Sequence, residues 1–269
     1  MTLELHKMVK CLHDPTIVET DVITWSSPVP VFGSVAKAKI ATLGLNPSNR
    51  EFVDNKGEKL SGLNRRFHTL SSLGLDCWSR VEHKHLTLIE DDCQNYFNKN
   101  PYDLWFKKLD HLISGTSFSY YFPSGQACHL DLIPFATSRK WGELSSDQKE
   151  TLLEFSAESF AQTLNNSNIQ MLILNGKSVI NTLQKLTNEL FEEIYQPTWN
   201  LQRKGSDGVK GYAYIGKIKS VAGIKLKKEI IVIGFNHNIQ SSFGVTSAVQ
   251  KSIRKWITNL SKELLDETI

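Results

Sequence analysis

Asn46, Asp131, Asn175 and His237 each stand where a short apolar run of the chain carries or gives way to polar residues. The first run continues as Gly44-Leu45-Asn46-Pro47-Ser48-Asn49-Arg50, a tight polar turn. The second holds His129 and Asp131 and reaches Pro134, and the third ends in Asn175-Gly176-Lys177. The fourth ends in Asn236-His237-Asn238-Ile239-Gln240-Ser241. Carboxamides, a carboxylate and an imidazole, gathered at the carboxyl ends of parallel strands, would line the crevice where α/β sheets bind ligands. Each also has an ordinary explanation, because a strand-end Asn can cap the next helix. Asp131 is less ordinary: a carboxylate inside an apolar strand is costly without a partner, although an Arg or a backbone amide can supply one. Gly176-Lys177 lacks the spacing of a phosphate-binding P-loop, and no G-x-G-x-x-G follows the first strand. There is no G-x-S-x-G nucleophile elbow.

The elements that must position these residues are legible from periodicity. The runs 39–45, 129–135, 169–175 and 229–235 are strand-length and apolar on both faces, as strands of a covered parallel sheet are. Apolar residues at helical spacing predict helices over 63–74, 100–115, 145–164, 177–194 and 246–265, with Ser145 or Ser146 and Thr246 as N-caps. Strands alternating with helices argue an α/β fold. Residues 212–229 alternate and carry Gly breaks, which reads as an antiparallel hairpin leading into the last strand. Its Lys217, Lys219, Lys225, Lys227 and Lys228 suit either a solvated edge or a phosphate-facing surface. Two prolines and a glycine in 26–33 suggest that residues 1–36 form an extended N-terminal arm wrapped on a single domain, 37–269.

Composition sets outer limits. The 269 residues, 40% hydrophobic and 22% charged, are ordinary for a globular protein. A net charge of +3 permits a basic face without requiring one. The four cysteines, Cys11, Cys77, Cys93 and Cys128, form no C-x-x-C pair, so reduced thiols are expected and no metal or cofactor is. No apolar run is long enough to span a membrane, and the start is a poor signal peptide. A cytoplasmic, monomeric protein is the expectation.

Taken in order, the motifs resemble the uracil-DNA glycosylase superfamily over roughly residues 37–260. Gly44-Leu45-Asn46-Pro47-Ser48 is similar to the turn that closes the first strand of that superfamily, and Asn64-Arg65-Arg66-Phe67 to the start of its following helix. Asp131 and Pro134 hold the spacing of its base-reading Asn and Pro. His237-Asn238-Ile239-Gln240-Ser241 is similar to the His that opens its DNA-inserting loop, with both usual prolines missing. The resemblance implies a three-layer α/β/α fold around a mostly parallel, four-stranded sheet. It implies a monofunctional glycosylase in which Asn46 orients the hydrolytic water and His237 steadies charge developing on the departing base, without a lysine nucleophile.

Two departures bear on the base. Ser48 stands where the most uracil-selective branch has Tyr, which would leave room at carbon 5 of the pyrimidine. Asp131 replaces Asn: ionised, it repels uracil O4 and accepts from the cytosine N4 amino group, and a protonated form favoured by burial could donate to N3. The chain also looks like bacterial defence glycosylases of this superfamily that remove glucosylated 5-hydroxymethylcytosine from phage DNA, with segments 49–63 and 76–125 shaping the pocket. Phe52, then Phe67, are the expected stacking partners of a flipped base, with His129 beside Asp131. Lys177, Arg65 and Arg66 are expected on phosphates, and Ile239, Gln240 and Ser241 in the loop that fills the gap. The partner would be double-stranded DNA. The alternatives are a uracil or mismatch repair glycosylase, a non-catalytic DNA-binding module and a nucleoside hydrolase.

Overall fold

The computed structural model describes residues 2–203 and 205–266; residues 204 and 267–269 of the expected 37–269 domain lie outside that range. The four apolar runs form the parallel strands β1 (Ile40–Gly44), β2 (Ala127–Asp131), β3 (Met171–Asn175) and β8 (Ile224–Phe235). Every residue of β1, β2 and β3 is buried, as continuous apolar composition requires. The sheet has six strands, not the expected four, in the order β2-β1-β3-β8-β7-β4. The additions are β7 (Tyr212–Val221), antiparallel to β8, and β4 (Glu192–Tyr195), antiparallel to β7. A separate ribbon pairs β5 (Leu201–Arg203) with β6 (Ser206–Val209).

Strand β4 was hidden because helical spacing ran on through residue 194. The helix α6 (Lys177–Thr187) instead stops where Asn188 turns left-handed, φ 54°, a common helix ending. The β7–β8 hairpin turns at Ala222-Gly223, both with positive φ, the conformation that matches strand twist in two-residue loops. Its lysine-rich tip holds Lys217 and Lys219 on Glu229. It lies at the amino end of β8, away from the edge where the parallel strands finish.

Helices α4 (Asp103–Ile113), α5 (Ser146–Asn165) and α7 (Ser247–Asp266) fall close to expectation. Ser145 caps α5 reciprocally with Gln148. The expected helix over 63–74 is absent. Only single turns occur, at Gly62–Asn64 and Ser71–Leu73. Ser72 and Thr69 bond each other's backbone there, local bonding that competes with a helix. Three further helices were not expected: α1 (Thr2–Cys11), α2 (Pro15–Val18) and α3 (His83–Gln94), although Leu5, Met8, Val9 and Leu12 repeat at helical spacing and are buried. The first 36 residues are thus helical before they are extended. Leu5, Val9, Ile17, Val29, Val31 and Phe32 are buried in the same core as β1. Among the described residues no helix is long and apolar enough to cross a membrane.

Candidate functional site

Parallel pairing brings the carboxyl ends of β1, β2 and β3 to one edge, with Thr42 opposite His129 and Gly44 opposite Asp131. A cleft of about 450 Å³ opens there. Its walls include Gly44, Asn46, Ser48, Asp131, Asn175 and Ser241. The missing side chain of Gly44 is what makes room for the carboxylate: a Cβ there would stand 2.3 Å from Asp131 Oδ1 and 3.0 Å from His129 Nε2. Gly44→Ala is expected to destabilise the fold by about 1–3 kcal/mol, the usual range for overpacking. Urea unfolding would read this as a lower midpoint with unchanged slope.

Asn46 is held in one orientation. Its Nδ2 donates to Thr137 Oγ1 at 3.0 Å and to the carbonyls of Phe135 and Pro47, each at 3.3 Å. Thr137 spends its own proton on the Arg139 carbonyl, so it can only accept from Asn46. The amide cannot flip without losing three bonds. Its Oδ1 has no protein donor among the described residues and is left to accept from a ligand or water.

Asp131 is 5% exposed. His129 Nε2 lies 3.3 Å from its Oδ1, whereas Oδ2 has no protein donor among the described residues. His129 is 1% exposed and sits behind Asp131, so it supports the carboxylate and does not line the cleft. Asn175 is bound at both ends, donating to Gln240 Oε1 and accepting from the Ile239 amide. Ser48 faces the cleft and caps the turn by accepting from Arg50 N.

Several expected site residues lie elsewhere. Phe52 and Phe67 are each 1% exposed; their apolar rings pack in an aromatic core with Trp25, Phe32 and Tyr96. His237 is buried, and its Nε2 is committed to the Trp199 carbonyl at 2.7 Å. Burial holds its pKa below the usual histidine value, against that hydrogen bond. Ile239 is buried, and Gln240 is tied to Asn175 and to the Trp105 carbonyl. Arg65 stands 3.7 Å from Asp92, and Arg66 donates to the carbonyls of Arg50 and Asn100. Lys177 pairs with Glu193 at 2.8 Å. Burial opposes its charge, but Glu193 and Tyr214 outweigh burial and raise its pKa. The Gly176 and Lys177 amides are already used by the carbonyls of Phe235 and Asn236.

The cleft gains residues that were not singled out: Trp105 from α4, Trp141, Thr137, Arg139 and Lys140. Arg139 pairs with Asp21, while Lys140 has no ion pair among the described residues. The run Ser138-Arg139-Lys140-Trp141 interleaves cations with an aromatic ring, a signal that was available in the sequence. A second cleft, about 550 Å³, adjoins the first. The two share Ser48, Asn49, Arg139, Lys140 and Glu143, and segment 53–57 closes the far side of the second. No group of three or more metal-ligating side chains occurs among the described residues. No protein-family model matches the chain, and no curated protein matches it significantly.

Proposed function

We propose that this chain is a monofunctional DNA glycosylase of the uracil-DNA glycosylase type. It hydrolyses the N-glycosidic bond of a flipped cytosine substituted at carbon 5, most simply a glucosylated 5-hydroxymethylcytosine of phage DNA, and leaves an abasic site as a defence against the invading genome. The observation that carries this reading is the locked Asn46, whose free Oδ1 shares a cleft with Asp131. Asn46 Oδ1 accepts from a water and aims its oxygen at the sugar carbon. The sugar passes through a cationic state as the base departs, so positioning and electrostatics do most of the catalysis. Asp131 offers an acceptor to the base, and Asn238 and Ser241 border the cleft where His237 was expected.

The cleft volume lies within the range of small-molecule sites, about 300–1,000 Å³. The small Ser48 and the adjoining cleft leave space for a substituent larger than methyl. Trp105 takes the stacking role assigned to Phe52 and Phe67. Trp105→Ala is expected to weaken binding of modified DNA by about 1–3 kcal/mol, read as a higher Kd with the fold intact by circular dichroism. Lys140, which has no ion pair among the described residues, replaces Lys177, Arg65 and Arg66 at the phosphates, and affinity falls as salt rises.

Base release followed by mass spectrometry tests the reading, on duplexes carrying uracil, cytosine or glucosylated 5-hydroxymethylcytosine. Release of the glucosylated base alone is expected. Release of uracil alone would make the protein a repair enzyme, and binding without release would make it a DNA-binding module. Borohydride should trap no adduct; a covalent complex through Lys140 would refute the monofunctional mechanism.

A further inference from the structure

A line of four side chains runs along one face of the sheet behind the cleft. Tyr120 OH meets Thr42 Oγ1, and Thr42 Oγ1 lies 2.7 Å from His129 Nδ1. His129 Nε2 then lies 3.3 Å from Asp131 Oδ1. Tyr120, Thr42 and His129 are 3%, 0% and 1% exposed, so water cannot substitute for a missing partner. The rings of Phe32, Trp105 and Phe106 stand 5.0–5.4 Å from the imidazole and fix its plane.

Hydrogen counting gives this line a direction. Thr42 has one proton, and it can go to Tyr120 or to His129. If it goes to Tyr120, the phenol proton has no acceptor among the described residues, and an unbonded Nε2 lone pair faces the carboxylate. If it goes to His129 Nδ1, Tyr120 donates to Thr42, both of these bonds are made, and the remaining imidazole proton sits on Nε2, 3.3 Å from Asp131 Oδ1 as a charge contact. Buried polar groups are overwhelmingly satisfied, and burial raises the Tyr120 pKa far enough to keep the phenol a donor. The histidine proton therefore sits on Nε2, facing Asp131 Oδ1.

We propose that Tyr120, Thr42 and His129 act as a positioning relay that keeps Asp131 an acceptor and so makes the cleft select a base with an exocyclic amino group. The inference rests on the glycosylase reading. With Oδ1 facing the Nε2 proton, Oδ2 presents only lone pairs to the cleft. An amino group at position 4 of the pyrimidine satisfies them; a carbonyl there meets them without a donor. An Asn in place of Asp131 has no such constraint, because its amide can turn.

The test uses two duplexes whose target bases carry the same carbon-5 substituent and differ only at position 4, amino or carbonyl. Wild-type protein is expected to prefer the amino base. Thr42→Val removes the hydroxyl at nearly constant volume and is expected to lower that preference about tenfold, the effect of one mispaired buried group. Thr42→Ser restores it. Equal preference in all three proteins overturns the relay, as does a Thr42→Val effect equal on both bases. If wild type releases neither base, the glycosylase reading itself fails. Nitrogen-15 NMR of wild-type His129 needs neither activity nor a variant: an Nε2–H tautomer is expected, and Nδ1–H overturns the proposal.

Discussion

Asn46→Ala lowers base release from modified duplex DNA by on the order of 10²–10³-fold, the loss usual when one preorganised catalytic group is removed. The decrease falls on kcat, because Asn46 is assigned to the water and not to binding of the base. The fold should barely notice. Thr137 keeps its bond to the Arg139 carbonyl, and Pro47 lines the cleft, where water can reach its carbonyl. Thr137→Val separates orientation from presence. Without the Thr137 acceptor the Asn46 amide is held only by two longer bonds, so a smaller loss, about tenfold, is expected. Single-turnover release with all three proteins decides the matter. An Asn46→Ala protein as fast as wild type would remove the water from this turn.

The second large effect concerns Glu51, whose carboxyl is buried under the same turn. It accepts from Tyr96 OH at 2.7 Å and stands 3.9 Å from Arg66 Nε. Burial pushes its pKa from 4.5 up to about 7, against Tyr96 and Arg66, and the nearby charge of Asp131 adds to the rise. The folded chain therefore binds this proton more tightly than the unfolded chain does. The stability that follows is full below the unfolded value near 4.5 and declines as pH rises through about 7. The loss amounts to about 3 kcal/mol. Glu51→Gln has no proton to lose. Its melting temperature is expected to gain on that of wild type between pH 5 and pH 8, whatever the offset between the two at pH 5. A constant difference across that range would show that Glu51 stays charged in the fold.

Burial explains much of what was legible in the sequence. A strand covered on both faces must be apolar throughout, so the parallel block of the sheet was visible as four runs. Parallel strands in register end at one edge of the sheet, so the polar groups at the ends of these runs, Asn46, Asp131 and Asn175, come together there, Asp131 and Asn175 still buried. Short or exposed elements have no such signature. Strand β4 alternates little and is mostly exposed; α1, by contrast, repeats apolar residues at helical spacing, and that face packs on α3 and α5.

Residue type does not say which of two neighbours a side chain will face. Phe52 follows the polar turn closely, yet an aromatic ring with an apolar core beside it buries there, and Trp105 reaches the cleft from a helix more than fifty positions away. His237 sits at the expected strand end, but the Trp199 carbonyl, brought near by chain folding, claims its ring nitrogen. Asn46 shows both levels at once. Its place at the end of β1 follows from the local pattern of the chain. The direction of its amide depends on Thr137 and Phe135, about ninety residues away. Hydrophobic periodicity is local and survives in the sequence. Hydrogen-bond direction is set by partners that only the tertiary structure assembles.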